Sequence, residues 1–111
     1  MDRSQVELLE SPFHEKSRFT IVTVLLRHGI LSFSELKSLL NMTDGNLSVH
    51  LRSLDRLGYL SVCKCRAAGR ARTTCRLSEK GRLALNKYLE NMEKLVKSVR
   101  RLSKRRPQDL N

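Results

Sequence analysis

The chain predicts an α+β fold, mainly helical, in which two helices joined by a tight turn are followed by a two-stranded basic hairpin and a long terminal helix. Three observations carry this expectation. Thr43 to Gly58 places Leu47, Leu51, Leu54 and Leu57 at three- and four-residue steps with polar residues opposite, the pattern of an amphipathic helix. Residues 59–77 alternate in polarity on either side of a Gly-containing basic segment, as paired strands do. Residues 79–104 sustain apolar heptad series with no proline.

Composition narrows the class. A chain of 111 residues is one domain by size, enough for a modest core and too little for a large catalytic cleft. A formal net charge of +11 implies a polyanionic partner, with nucleic acid leading. That charge is uneven: residues 63–106 hold fifteen Lys or Arg against three Glu, whereas residues 1–62 hold seven basic and seven acidic residues. No segment approaches the roughly twenty apolar residues of a membrane span, and the first residues lack the apolar core of a signal peptide, so a cytoplasmic, DNA-associated location is expected. Three cysteines, an odd number, argue for thiols rather than a disulfide framework.

Taken in order, residues 1–10 form an N-terminal extension in which Val6, Leu8 and Leu9 suggest a short helical turn against a partner. Ser11-Pro12 reads as the start of a helix, Ser as cap and Pro at the first helical position, ending near His28 before Gly29. This helix is apolar round much of its circumference, more than one core face needs, which suggests packing on a second subunit. Ile30 to Phe33 suits a minor edge strand. Ser32 and Glu35 then make a capping box for a two-turn helix with Phe33, Leu36, Leu39 and Leu40 inward. Thr43 caps the next helix and Gly58 closes it. Tyr59 to Cys65 and Arg72 to Leu77 read as strands, with Leu60 and Val62 on the inner side, and residues 66–71 between them as a basic tip. Ser78 caps the terminal helix, where Leu85, Met92 and Val99 form one heptad series, Tyr88, Leu95 and Leu102 another, and Leu89 and Val96 widen the seam. A single small domain has nowhere to bury such a rod, so these eight residues are expected at a homodimer interface. The expected fold is a winged helix-turn-helix with a two-stranded basic wing and a long C-terminal dimerisation helix. The domain (residues 11–77) is followed by that helix (78–106), with its basic end from Arg100 to Arg106, and by a tail (107–111).

The binding residues follow from this arrangement. Thr43, Asp44, Gly45, Asn46, Ser48, Val49 and Arg52 occupy the polar face of the second helix of the pair, and their short side chains permit close approach to a major groove. Arg52 can read guanine through its fork, Asn46 can read adenine or hold a phosphate, Ser48 can serve base or backbone, and Val49 can touch a thymine methyl. Asp44 is the weakest of the set, because its carboxylate repels phosphate and suits a helix N-terminus in any case. Arg66, Arg70 and Arg72 suit phosphates or the minor groove. Lys16, Arg18 and Lys37 are further backbone-contact candidates, and His50 is either a phosphate donor or a hydrogen-bonded structural histidine. Cys63, Cys65 and Cys75 admit a redox switch or a soft-metal site, but three thiols with no fourth ligand assign no metal, and no cofactor is expected. No enzyme constellation is present: the carboxylates are scattered, no phosphate-binding glycine loop occurs, and Ser, His and Asp lack a cleft.

Leu31 to Leu36, Met42 to Leu51 with its Gly-Asn-Leu-Ser-x-His-Leu run, Leu57 to Leu60, and Leu77 to Arg82 together resemble the winged-helix DNA-binding regulators related to the MarR and ArsR groups, over about residues 14 to 90. The resemblance implies a dimeric transcription regulator. ArsR-type metal sensors carry a Cys-x-Cys on their recognition-side helices; here Cys63 and Cys65 fall on the wing strand, so the resemblance implies no metal sensing. The function expected is sequence-specific binding of double-stranded DNA by a homodimeric repressor. Two alternatives stand beside it, an architectural DNA-binding protein of low specificity and a winged-helix protein-interaction module.

Overall fold

A computed structural model describes residues 2–105; residues 106–111, with the expected tail, Arg106 and Pro107, lie outside the described residues. Five helices and three strands follow in the order α1 (Arg3–Glu10), α2 (Lys16–His28), β1 (Ile30–Ser32), α3 (Phe33–Leu40), α4 (Asp44–Arg56), β2 (Leu60–Ala67), β3 (Arg70–Leu77) and α5 (Glu79–Ser103). The antiparallel sheet has the order β1-β3-β2, with Leu31 opposite Cys75 and Val62 opposite Cys75 on its other side.

The N-terminal residues differ from expectation. Residues 3–10 form a full helix with an Asp2/Gln5 capping box, and Leu8 is buried in the chain's own core. The next helix starts at Lys16 rather than after Ser11. The reason is local and tertiary together: Ser11 Oγ accepts the Phe13 N–H at 3.1 Å, and the turn sends Phe13 inward onto Tyr59, ring centroids 5.3 Å apart, and edge-on to Tyr88 at 6.1 Å. Glu15 takes over the capping, accepting the Arg18 N–H at 2.8 Å.

The helix pair forms as its caps dictate. Ser32 and Glu35 satisfy each other's backbone donors at 3.1 and 3.0 Å. Asn41 adopts a left-handed conformation (φ 52°), which a short amide side chain tolerates, and turns the chain into the Thr43 cap of α4. At the far end, Gly58 (φ 79°) donates to Asp55 O at 2.9 Å and Tyr59 N donates to Leu54 O at 3.0 Å, the paired bonds of a Schellman cap. Leu47, Leu51 and Leu54 of α4 meet Ile21, Val22 and Leu25 of α2 and Leu36 of α3 in one core. Leu39, Leu57 and Val62, expected inward, lie at the rim and stay 55, 41 and 37% exposed.

Helix α5 corrects the largest inference drawn from its heptads. Leu85 and Tyr88, assigned to an intersubunit seam, are buried in the chain's own core, and Leu89, Met92 and Leu95 pack against it. Phe13, Phe19 and His14 surround Tyr88, whose hydroxyl lies 3.0 Å from His14 Nδ1 and whose acidity burial suppresses. The rod finds cover because α1 folds back along it. Beyond Leu95 that cover ends, and Val96, Val99 and Leu102 are exposed.

Gly81 sets the close approach of α5 to the rest. Ser78 Oγ donates to Gly58 O at 2.6 Å, Ser78 N donates to Tyr59 O at 2.9 Å, and a Cβ on Gly81 would run into the Tyr59 carbonyl. Leu77 to Gly81 is therefore a docking segment that clamps the start of α5 onto the end of α4.

A candidate nucleic-acid interface

The exposed face of α4 is built on the Thr43 cap, whose Oγ1 accepts the Asn46 N–H at 3.2 Å. Asp44, Gly45, Asn46, Val49 and Arg52 are exposed and Ser48 is half-buried, while the leucines of the same helix are sealed in the core. A Cβ on Gly45 would meet nothing within 4 Å, so no contact inside the chain demands glycine there. Asp44 is answered by Lys37 Nζ at 2.8 Å across the turn. That pair neutralises a carboxylate that would otherwise repel a polyanion, and it occupies Lys37, one of the expected backbone contacts.

The hairpin is longer and more regular than its sequence suggests. Strands run to Ala67 and from Arg70, joined by the two-residue turn Ala68-Gly69 with φ of 53° and 77°. Positive φ at both turn residues gives the twist that continues two right-handed strands, so the basic tip is an ordered extension of the sheet. Arg66 and Arg70 sit on exposed strand positions next to this turn. Arg72 differs from them: its Nη2 donates to Glu35 Oε1 at 2.7 Å and ties the wing to the N-terminus of α3. The backbone N–H of Ser32, then its hydroxyl, then the Arg72 guanidinium hold the Glu35 carboxyl below the usual carboxylate range.

Alternation along β2 sorts the wing by face. Leu60, Val62, Lys64 and Arg66 share the side that turns towards α4; Cys63 and Cys65 share the other with Arg70, Arg72 and Arg76 of β3. Lys64 and Arg52 consequently line one shallow groove of about 330 Å³, together with Ser48, Asp55 and Val62. Lys64 was missed from the sequence although the signal was present, since it stands two residues from Val62 on the inward side. The groove joins the α4 face and the wing into one surface, with Arg52, Lys64 and Asp55 as its charged residues.

His50 belongs to the support of this surface. Arg18 Nε donates to His50 Nδ1 at 3.3 Å, and Glu15 Oε2 lies 3.8 Å from the same nitrogen, so the side chain bridges α4 to the start of α2. Desolvation raises the Glu15 pKa, but the Arg18 and Ser17 N–H groups with His50 and Arg18 outweigh it and hold the carboxyl low. Among the described residues no group of three or more His, Cys, Asp or Glu is placed to hold a metal ion, and no helix is long and apolar enough to cross a membrane.

A family profile for the winged helix DNA-binding domain matches residues 17–96. An uncharacterized protein of Methanocaldococcus jannaschii, MJ0432, is 33% identical over 87 residues, which span 78% of this chain and 95% of that protein. A transcriptional regulator homologue from Pyrococcus horikoshii OT3 superposes with a TM-score of 0.82 at 25% identity, covering 88% of this chain and 98% of that one. The MepR protein of S. aureus, solved in complex with DNA, shares the fold with a TM-score of 0.68 at 14% identity over 91% of this chain and 82% of its own.

Proposed function

This chain belongs to the winged helix DNA-binding family, and from that premise we propose that it is a transcription regulator, a homodimeric repressor that recognises a specific double-stranded sequence. The observation that carries the reading is the groove in which the short-chained face of α4 and Arg52 adjoin Lys64 of an ordered hairpin, whose tip carries Arg66 on the same side and Arg70 on the other. Asn46, Ser48, Val49 and Arg52 read base edges, with Thr43, Asp44 and Gly45 at the leading end of the helix setting its depth in the groove. Arg66 and Arg70 take phosphates or the minor groove, and Arg72 joins them or holds the wing through Glu35. Phosphate contacts supply most of the affinity, so binding falls steeply with salt, and the helix adds the specific increment.

The homodimer reading rests on the exposed Val96, Val99 and Leu102 at the far end of α5, continuous with the partly buried Leu95 and Met92. A solvated helix end gains nothing from such a stripe, whereas two copies would bury it. Residues 11–77 then form the DNA-binding part and the distal portion of residues 78–106 the dimer contact.

The test is selection of bound duplexes from a random pool at near-physiological salt. A pseudo-palindromic motif with half-sites about one helical turn apart is the expected result. Tight binding without enrichment would replace this reading with an architectural DNA-binding role, and no recovery of any duplex would replace it with protein docking.

A further inference from the structure

Cys63 and Cys65 are both exposed and both unpaired, and they stand on one face of β2, opposite Thr74 and Arg72. That face points away from the core and from Lys64 and Arg66; Cys75, the third thiol, is buried on the other side of the sheet. From this placement we propose that the Cys63/Cys65 pair is a two-coordinate site for a soft monovalent metal ion of the Cu(I) class, held as a bis-thiolate on the outer face of the wing.

Spacing selects coordination over a disulfide. Successive residues of a strand rise about 3.3 Å, so the Cβ atoms of Cys63 and Cys65, two residues apart, start about 6.6 Å from each other. A disulfide needs Cβ atoms at about 3.5–4.5 Å, which this strand cannot provide while its ladder to β3 is intact. Two metal–sulfur bonds of about 2.3 Å laid in line span about 4.6 Å, and side chains leaning towards each other from about 6.6 Å reach that separation with the strand unchanged.

Ligand number then selects the ion. Zinc and other tetrahedral ions require four donors, and among the described residues no third or fourth His, Cys, Asp or Glu joins the pair. Soft thiolates favour Cu(I), which is satisfied by two of them in line. Each thiol gives up its proton on binding, so two protons leave as one Cu(I) enters and the site ends with a net charge of −1. Arg70, Arg72 and Arg76 share this face of the sheet, and their guanidinium charges favour both the thiolates and the anionic complex. The site uses the face of β2 opposite Lys64 and Arg66, and it shares that face with Arg70 and Arg72, two of the proposed phosphate contacts.

The experiment titrates the reduced full-length chain with Cu(I) under anaerobic conditions, in competition with a chromophoric Cu(I) chelator, and repeats the titration with Zn(II). One Cu(I) per chain is expected, with negligible Zn(II) retention. Because the second thiolate binds intramolecularly, Cys63→Ser and Cys65→Ser should each lower Cu(I) affinity by about a hundredfold or more. Both positions are exposed, and unchanged far-ultraviolet circular dichroism confirms the fold of each variant. Affinity unchanged in either single variant would overturn the proposal, as would binding retained by the double variant, which keeps only Cys75, or one Cu(I) shared between two chains.

Discussion

Replacing Gly81 by alanine should destabilise the chain, although helix propensity alone predicts the opposite. In an open helix the change is favourable by about 1 kcal/mol. Here the new Cβ would strike the Tyr59 carbonyl oxygen and come within 2.9 Å of its carbon and 3.0 Å of Leu77 Cδ1. Backbone on one side leaves only a displacement of α5 as relief. Moving the helix start stretches Ser78 Oγ to Gly58 O and Ser78 N to Tyr59 O, now 2.6 and 2.9 Å. Two hydrogen bonds at about 1 kcal/mol each, with an overpacking cost of about 1–3 kcal/mol, outweigh the propensity gain and leave a net loss of about 2–4 kcal/mol. Urea unfolding followed at 222 nm, at one fixed chain concentration, measures it. The internal control is Gly45→Ala, where the Cβ meets nothing within 4 Å and only the propensity gain of up to about 1 kcal/mol remains. The reasoning is refuted if Gly81→Ala matches or exceeds the wild-type midpoint, or if both alanine variants shift the same way.

The other predictions concern the surface. Arg52→Ala should relax base preference in the selected motif, whereas Arg70→Ala should weaken all duplexes alike and lower the salt slope by about one; equal losses on specific and random DNA from both changes would contradict that division. Val99→Glu with Leu102→Glu, both half exposed, should convert a sedimenting dimer to monomer with circular dichroism intact, and a persisting dimer would place the contact elsewhere. Glu35 has a folded pKa below its ordinary 4.5, so it contributes stability at and above that pH which is lost as pH falls from there through the lowered value. Glu35→Gln should therefore flatten the decline of the urea midpoint in that window, and a slope identical to wild type would show that the Ser32 and Arg72 contacts do not form.

Much of the fold is legible from local chemistry. The Ser32/Glu35 box, the Thr43 and Ser78 caps and the glycine after α4 act within a few residues of themselves, so residue types at fixed spacing mark the elements before any packing is known. The polar face of α4 and the basic hairpin are legible for the same reason. Less legible is everything that depends on which side chains meet across the chain. Nothing near Arg72 in sequence announces Glu35, and nothing near Lys37 distinguishes its pairing with Asp44 from an open contact.

The terminal helix separates the two kinds of information. Its sequence alone determined that residues 79–103 are helical, capped by Ser78 and striped with apolar side chains, because those properties follow from propensity, capping and period. It did not determine what the stripe packs against. Only the tertiary structure assigned Leu85 and Tyr88 to the chain's own core and left Val96, Val99 and Leu102 exposed, because α1 and the Phe13 turn cover one half of the rod and end before the other. Hydrophobic burial is indifferent to which surface supplies the cover, so an apolar stripe states that a partner exists and the fold decides which one it is.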